Sequence, residues 1–132
     1  MTKSTKYLLI YTAIIGVGVI YWRKTKLSKF KKQVVAQSNY EVNKWIPYNE
    51  LDEETALIIK DYWNRALGWN VTTDEVLSED FQEQYAWSAA FVSWVMRVSG
   101  AGGSFPYSAT HSEYIIDTTN NRYNNPEAKF IA

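Results

Sequence analysis

The sequence predicts a mainly α-helical chain: an N-terminal transmembrane helix followed by a small helical domain. Three observations predict it. Tyr7 to Trp22, YLLIYTAIIGVGVIYW, is an unbroken run without charge. Further along, apolar residues recur at helical spacing in two segments, each closed by a glycine. No segment makes a convincing strand, and there is no internal repeat or low-complexity tract.

Composition narrows the classes. A chain of 132 residues has room for one domain of about 100 residues plus something at an end. It contains no Cys, which excludes a disulfide framework, a Cys-ligated zinc site and a thiol nucleophile. The net charge of zero hides a split: residues 1–45 carry nine Lys/Arg and one acid, Glu41, whereas residues 46–132 carry five Lys/Arg and thirteen acids. Such asymmetry suggests a basic segment facing anionic lipid or nucleic acid, then an acidic globular part. Trp, Tyr and Phe make up 16% of the chain, a richness that disordered sequences rarely show.

Taken in order, the first element is the run at 7–22. As a helix it spans about 24 Å, a little short of a bilayer core of roughly 30 Å. Tyr7 and the Tyr21-Trp22 pair stand at its ends, where aromatic belts lie. A cleaved signal peptide and a buried helix compete with the anchor reading. No small-x-small cleavage site follows the run. The more basic flank follows it, which by charge counting places residues 23 onward in the cytoplasm; a cell-wall role requires the opposite side, and the sequence leaves the side of the domain open. The sequence organisation is therefore anchor 1–22, basic linker 23–46 and domain 47–132. Membrane lipid is the expected partner, with peptidoglycan or a protein as further candidates; nothing but charge speaks for nucleic acid.

Within the domain, Pro47 marks the entry and Asn49 can cap a helix starting near Glu50. Ala56, Leu57, Ile59, Tyr62, Trp63, Ala66 and Leu67 recur at helical spacing up to Gly68. Trp69 to Gln84 reads as irregular and acidic, with room for a helical turn after Ser78. From Trp87 or Ser88 to Val98 a helix apolar nearly all round is expected in the middle of the domain, with Phe91, Trp94 and Val95 as core. Ala101 to Tyr107 is a loop. Ser108 can cap a third helix from Ala109 to about Thr119, with Tyr114 and Ile115 facing inward. No metal set and no phosphate-binding glycine spacing is present, and no cofactor is expected.

The block AWSAAFVSWVMRVSGAGGSFPYSATHSEYI, residues 86–115, with IIKDYWNRALGWNV at 58–71, resembles the DUF2272 family of bacterial and phage proteins. The resemblance covers roughly residues 50–132. That family is in turn similar to the NlpC/P60 and CHAP peptidases of papain-like fold. The resemblance implies an α+β domain, helices on an antiparallel sheet, of which this chain supplies the helical half. The domain is then expected to be truncated at its C-terminus, as a fragment or as a shortened relative.

In those peptidases a Cys opens the central helix, where unpaired backbone N–H groups and the helix dipole stabilise its thiolate. Here that position is Ser88. A hydroxyl cannot be ionised by a helix N-terminus, so Ser88 could attack only with a well-placed base. The bland alternative for Ser88 is an ordinary N-cap. The peptidases bring their His from a later strand, a segment this chain does not reach. His111, the only histidine, is therefore not the family base by position; it is placed in the groove beside Ser88 with Trp87, Tyr107, Ser108 and Ser112. Its bland alternative is a first-turn helix residue hydrogen-bonded locally.

Two functions follow. One is a membrane-anchored domain that binds or acts on cell-wall peptide. The other is a catalytically silent tethered interaction module. Ser88 in the thiol position and a base segment beyond the chain favour silence. One geometry would reverse this: Ser88 and His111 within about 3.2 Å, with His111 oriented by a second polar group.

Overall fold

The computed structural model describes residues 29–49, 51–125, 127, 128 and 130. Those residues contain helices and no strand. The order is α1 (29–45), α2 (Glu53–Leu67), α3 (Thr73–Leu77), α4 (Glu79–Gln84), α5 (Trp87–Val98), a 3-10 turn at Gly102–Ser104 and α6 (His111–Asn124). Val34 onward forms one compact unit, separate from residues 1–33.

Two expectations are corrected here. The α+β fold implied by the resemblance is not what forms, because every described element is helical. No described helix is long and apolar enough to cross a membrane. The longest, α1, carries Lys29, Lys31, Lys32, Glu41 and Lys44, too many charges for a hydrocarbon core. The single-pass anchor and the membrane localisation therefore find no support among the described residues; the run at 7–22 lies outside them.

Helix α2 starts and stops for local reasons. Its N-cap is Asp52, not Asn49. The Asp52 carboxylate accepts from the Asn49 backbone N–H at 2.7 Å, which closes the preceding turn instead of capping the helix. Two acids, Glu53 and Glu54, lie in the first turn, where the dipole favours them. Gly68 ends the helix in the left-handed region at φ 74°, its N–H bonded to the carbonyls of Trp63 and Asn64, a conformation that costs a residue with a Cβ.

The segment expected to be irregular holds two short helices. Thr72 and Glu75 form a complete capping box at the start of α3, and Ser78 accepts from Phe81 N–H at the start of α4. Asn64 fastens the link between them and α2: its amide donates to Val71 O at 3.0 Å and accepts from Val71 N–H at 2.7 Å.

The core lies chiefly between α2 and α5. Ala56, Ile59, Tyr62, Trp63 and Ala66 of α2 are buried, as are Ala89, Ala90, Ser93 and Val95 of α5. Helix α5 spans the residues expected, but it is not buried all round: Val95 is core, while Phe91 and Trp94 are only partly covered and Val98 is exposed. A domain this small has no second layer to cover the far side of a central helix. Around Trp63 the aromatic residues cluster, with Trp69 stacked at 4.9 Å and Phe81 and Tyr85 edge-on at 5.5 and 6.0 Å. Such pairs contribute about 0.5–1.5 kcal/mol each beyond their burial. Arg97 of α5 donates from Nε and Nη2 to the carbonyl of Ala66, near the end of α2, at 3.1 and 2.7 Å. It satisfies one of the carbonyls a helix end leaves open.

Helix α1 is tied to this core through a buried carboxylate. Glu41, 1% exposed, accepts from Tyr62 OH at 2.9 Å, Trp94 Nε1 at 3.0 Å, Gln37 Nε2 at 2.8 Å and Lys44 Nζ at 2.9 Å. Burial alone would raise its carboxyl. The hydrogen bonds from Lys44, Trp94 and Tyr62, with the charge on Lys44, outweigh burial and hold the group below its ordinary value of 4.5. Trp45 Nε1 donates to Tyr62 OH at 3.1 Å, so the phenol hydroxyl both donates and accepts.

Helix α6 begins at His111, with Thr110 as N-cap, not at Ala109 under Ser108. It continues through Asn120 and Asn121 to Asn124. Tyr114 packs against Phe105 at 5.9 Å, but Ile115 is 53% exposed, so only one of the two residues expected to face inward does so.

Candidate functional site

The first turn of α5 and the first residue of α6 meet. Ser88 Oγ lies 2.8 Å from His111 Nε2, a hydrogen-bond distance across 23 residues of sequence. Ser88 is the second residue of α5. The N-cap, Ala86, has no side-chain acceptor, so it cannot cap the N–H groups of the first turn. Both side chains are half-buried. The imidazole also packs edge-on against Tyr114, with ring centres 5.3 Å apart. No hydrogen bond reaches its other nitrogen among the described residues.

A second tie, parallel to the first, holds the two segments in register. Ser93, five residues along α5, donates from Oγ to the Ser108 carbonyl at 3.1 Å and accepts from the Ser108 N–H at 3.3 Å. Both serines are buried. The Ser108 hydroxyl donates to the Glu113 carboxylate and accepts from the Thr110 N–H at 3.0 Å. Residues 108–113 are thereby fixed on α5, and His111 sits within that fixed stretch. Ser93 and Glu113 escaped the sequence reading. Their partners are distant or buried, and no local pattern marks them.

The other candidate residues are placed as follows. Trp87 packs at a tilt against Trp45, with ring centres 4.5 Å apart, and forms one wall of a cleft that also includes Ala86. Ser108 is buried, its polar atoms spent on Ser93, Thr110 and Glu113. Tyr107 donates to the Gly102 carbonyl at 2.9 Å, and the Arg97 guanidinium lies 4.3 Å from its ring centre. Ser112 is exposed and reaches only Thr110 Oγ1, at 3.3 Å. Trp87 thus stays beside the Ser88–His111 pair, Ser108 supports it from beneath, and Tyr107 and Ser112 serve their own loop and helix start. No group of three or more His, Asp or Glu able to hold a metal exists among the described residues.

Fold and site together define a small helical domain with a serine–histidine pair at the start of a central helix. The DUF2272 family, described as an uncharacterized protein conserved in bacteria, matches residues 56–131, and the chain belongs to that family. No curated protein and no solved structure matches it. The kinship to NlpC/P60 and CHAP peptidases gains no support from either.

Proposed function

We propose that the domain catalyses acyl transfer to water, with Ser88 as nucleophile and His111 as general base, on an amide or ester substrate of the cell-wall peptide class. The observation that carries the reading is the 2.8 Å contact between Ser88 Oγ and His111 Nε2, which meets the distance set out above; no polar group orients the imidazole among the described residues, and the Ser93–Ser108 tie holds its segment instead. With the imidazole proton on Nδ1, Nε2 takes the Ser88 proton as Oγ attacks a carbonyl carbon. The negative charge on the carbonyl oxygen falls beside the first-turn N–H groups of α5, which the dipole makes favourable for an anion. The imidazolium then gives its proton to the leaving amine or alcohol. The same imidazole then takes a proton from water, whose oxygen attacks the acyl carbon; the C–Oγ bond breaks, and the imidazolium returns the proton to Ser88 Oγ as the acid leaves. Ser93 and Ser108 act as positioning residues, since they hold the loop that delivers His111.

A second reading has its own support: the absence of a polar partner for the other imidazole nitrogen among the described residues. In it the Ser88–His111 bond is a structural tie within a binding module. The assay that separates the two compares the unsubstituted protein with Ser88→Ala and His111→Ala on an activated ester and on muropeptides. Loss of about 10³-fold or more in kcat in both variants, with unchanged folding, is the expected result. An unsubstituted protein no faster than His111→Ala decides for the binding module.

A further inference from the structure

Between α2, α3, α4 and the start of α5 lies a cleft of about 240 Å³. Trp63, Phe81, Tyr85 and Trp87 line it, Gln82 is its only amide, and exposed Ala86 stands at its edge. No charged residue lines it. We propose that this cleft is the specificity pocket of the Ser88 site and takes one bulky, uncharged apolar side chain of the substrate, aromatic or branched aliphatic.

Size, chemistry and position each point to that occupant. Clefts that hold a drug-sized ligand measure about 300–1,000 Å³, while an apolar cavity of about 150 Å³ accepts benzene. This cleft lies between the two, which suits a single large side chain. A charged side chain would lose its hydration here with no opposite charge to replace it. Ala86 and Trp87 line the cleft and immediately precede Ser88 in the chain, so the cleft adjoins the helix start that carries the nucleophile, and the proposal joins the two through the substrate backbone.

The inference rests on the Ser88 reading only for what the bound side chain is joined to. The test therefore uses Ser88→Ala, which binds without turnover. N-acetyl amides of phenylalanine, leucine, alanine and glutamate are titrated while the indole N–H resonances are followed by NMR. Phenylalanine and leucine amides are expected to bind about tenfold or more tighter than the alanine amide, with the glutamate amide weakest, and to move the Trp63 and Trp87 signals. Adding Ala86→Trp, an exposed position, should remove the preference. Equal binding of the alanine and phenylalanine amides, shifts confined to other indoles, or a preference untouched by Ala86→Trp would overturn the pocket. An unsubstituted protein that lacks esterase activity would remove the nucleophile and leave these outcomes intact.

Discussion

At the residue scale, Glu41 has the largest consequence for stability. Tyr62, Trp94 and Gln37 aim donors at it, and Lys44 adds a charge. Glu41→Ala would leave buried donors without an acceptor, at about 1–3 kcal/mol for each. Chemical denaturation should show a loss on the order of 3 kcal/mol. The pH dependence has a definite sign. The folded carboxyl lies below its ordinary value of 4.5, so the unfolded chain binds the proton more readily. The contribution of Glu41 is complete above that value and is lost as pH falls through the lower folded one. Melting temperature should therefore drop below pH 4.5 more steeply in the natural chain than in Glu41→Gln. Parallel curves for the two would show that the carboxylate is not a stabilising charge. The sequence marks Glu41 only as the lone acid of a basic segment; its role depends on partners 21 and 53 residues away.

At the scale of elements, legibility follows length and spacing. Helices α2 and α5 show in the sequence because each has several turns of apolar spacing and a glycine beyond its end. Helices α3 and α4, five and six residues long, are too short for any periodicity. Only the Thr72-x-x-Glu75 capping box announces the first of them. The start of α6 lies two residues beyond the expected Ala109 because Ser108 has a capping residue's chemistry but uses it on Thr110 and Glu113. The same serine shows why half of the site was hidden. Ser88 is visible as the residue opening a helix, whereas its pairing with His111 depends on the Ser93–Ser108 tie, which no local rule predicts. The end of α2 gives a direct check. Gly68 has open space around a would-be Cβ but a φ of +74°. Gly68→Ala should cost about 1–2 kcal/mol through backbone strain alone, read as a lower denaturation midpoint with an unchanged slope. A cost near zero would mean that the turn relaxes to negative φ.

At the scale of the whole molecule, the unit beginning at Val34 includes most of α1. A boundary at Pro47, where the composition changes, would cut through it. A chain starting at Pro47 exposes Tyr62 and Trp94 and removes Trp45 from its contact with Trp87. It should melt well below a chain starting at Val34, or fail to melt cooperatively. Equal midpoints for the two would show that α1 is dispensable. The carboxylate that joins α1, α2 and α5 also has a consequence for motion. The Trp94 indole proton and the Tyr62 hydroxyl proton are both donated to Glu41 of α1, so their exchange with solvent deuterium is expected to follow the opening in which α1 swings off the domain. Exchange at the Trp94 indole therefore times that swing. Its rate, measured without denaturant, should match the opening rate of the amides along 34–45, and it should rise in step with them when Glu41 is replaced.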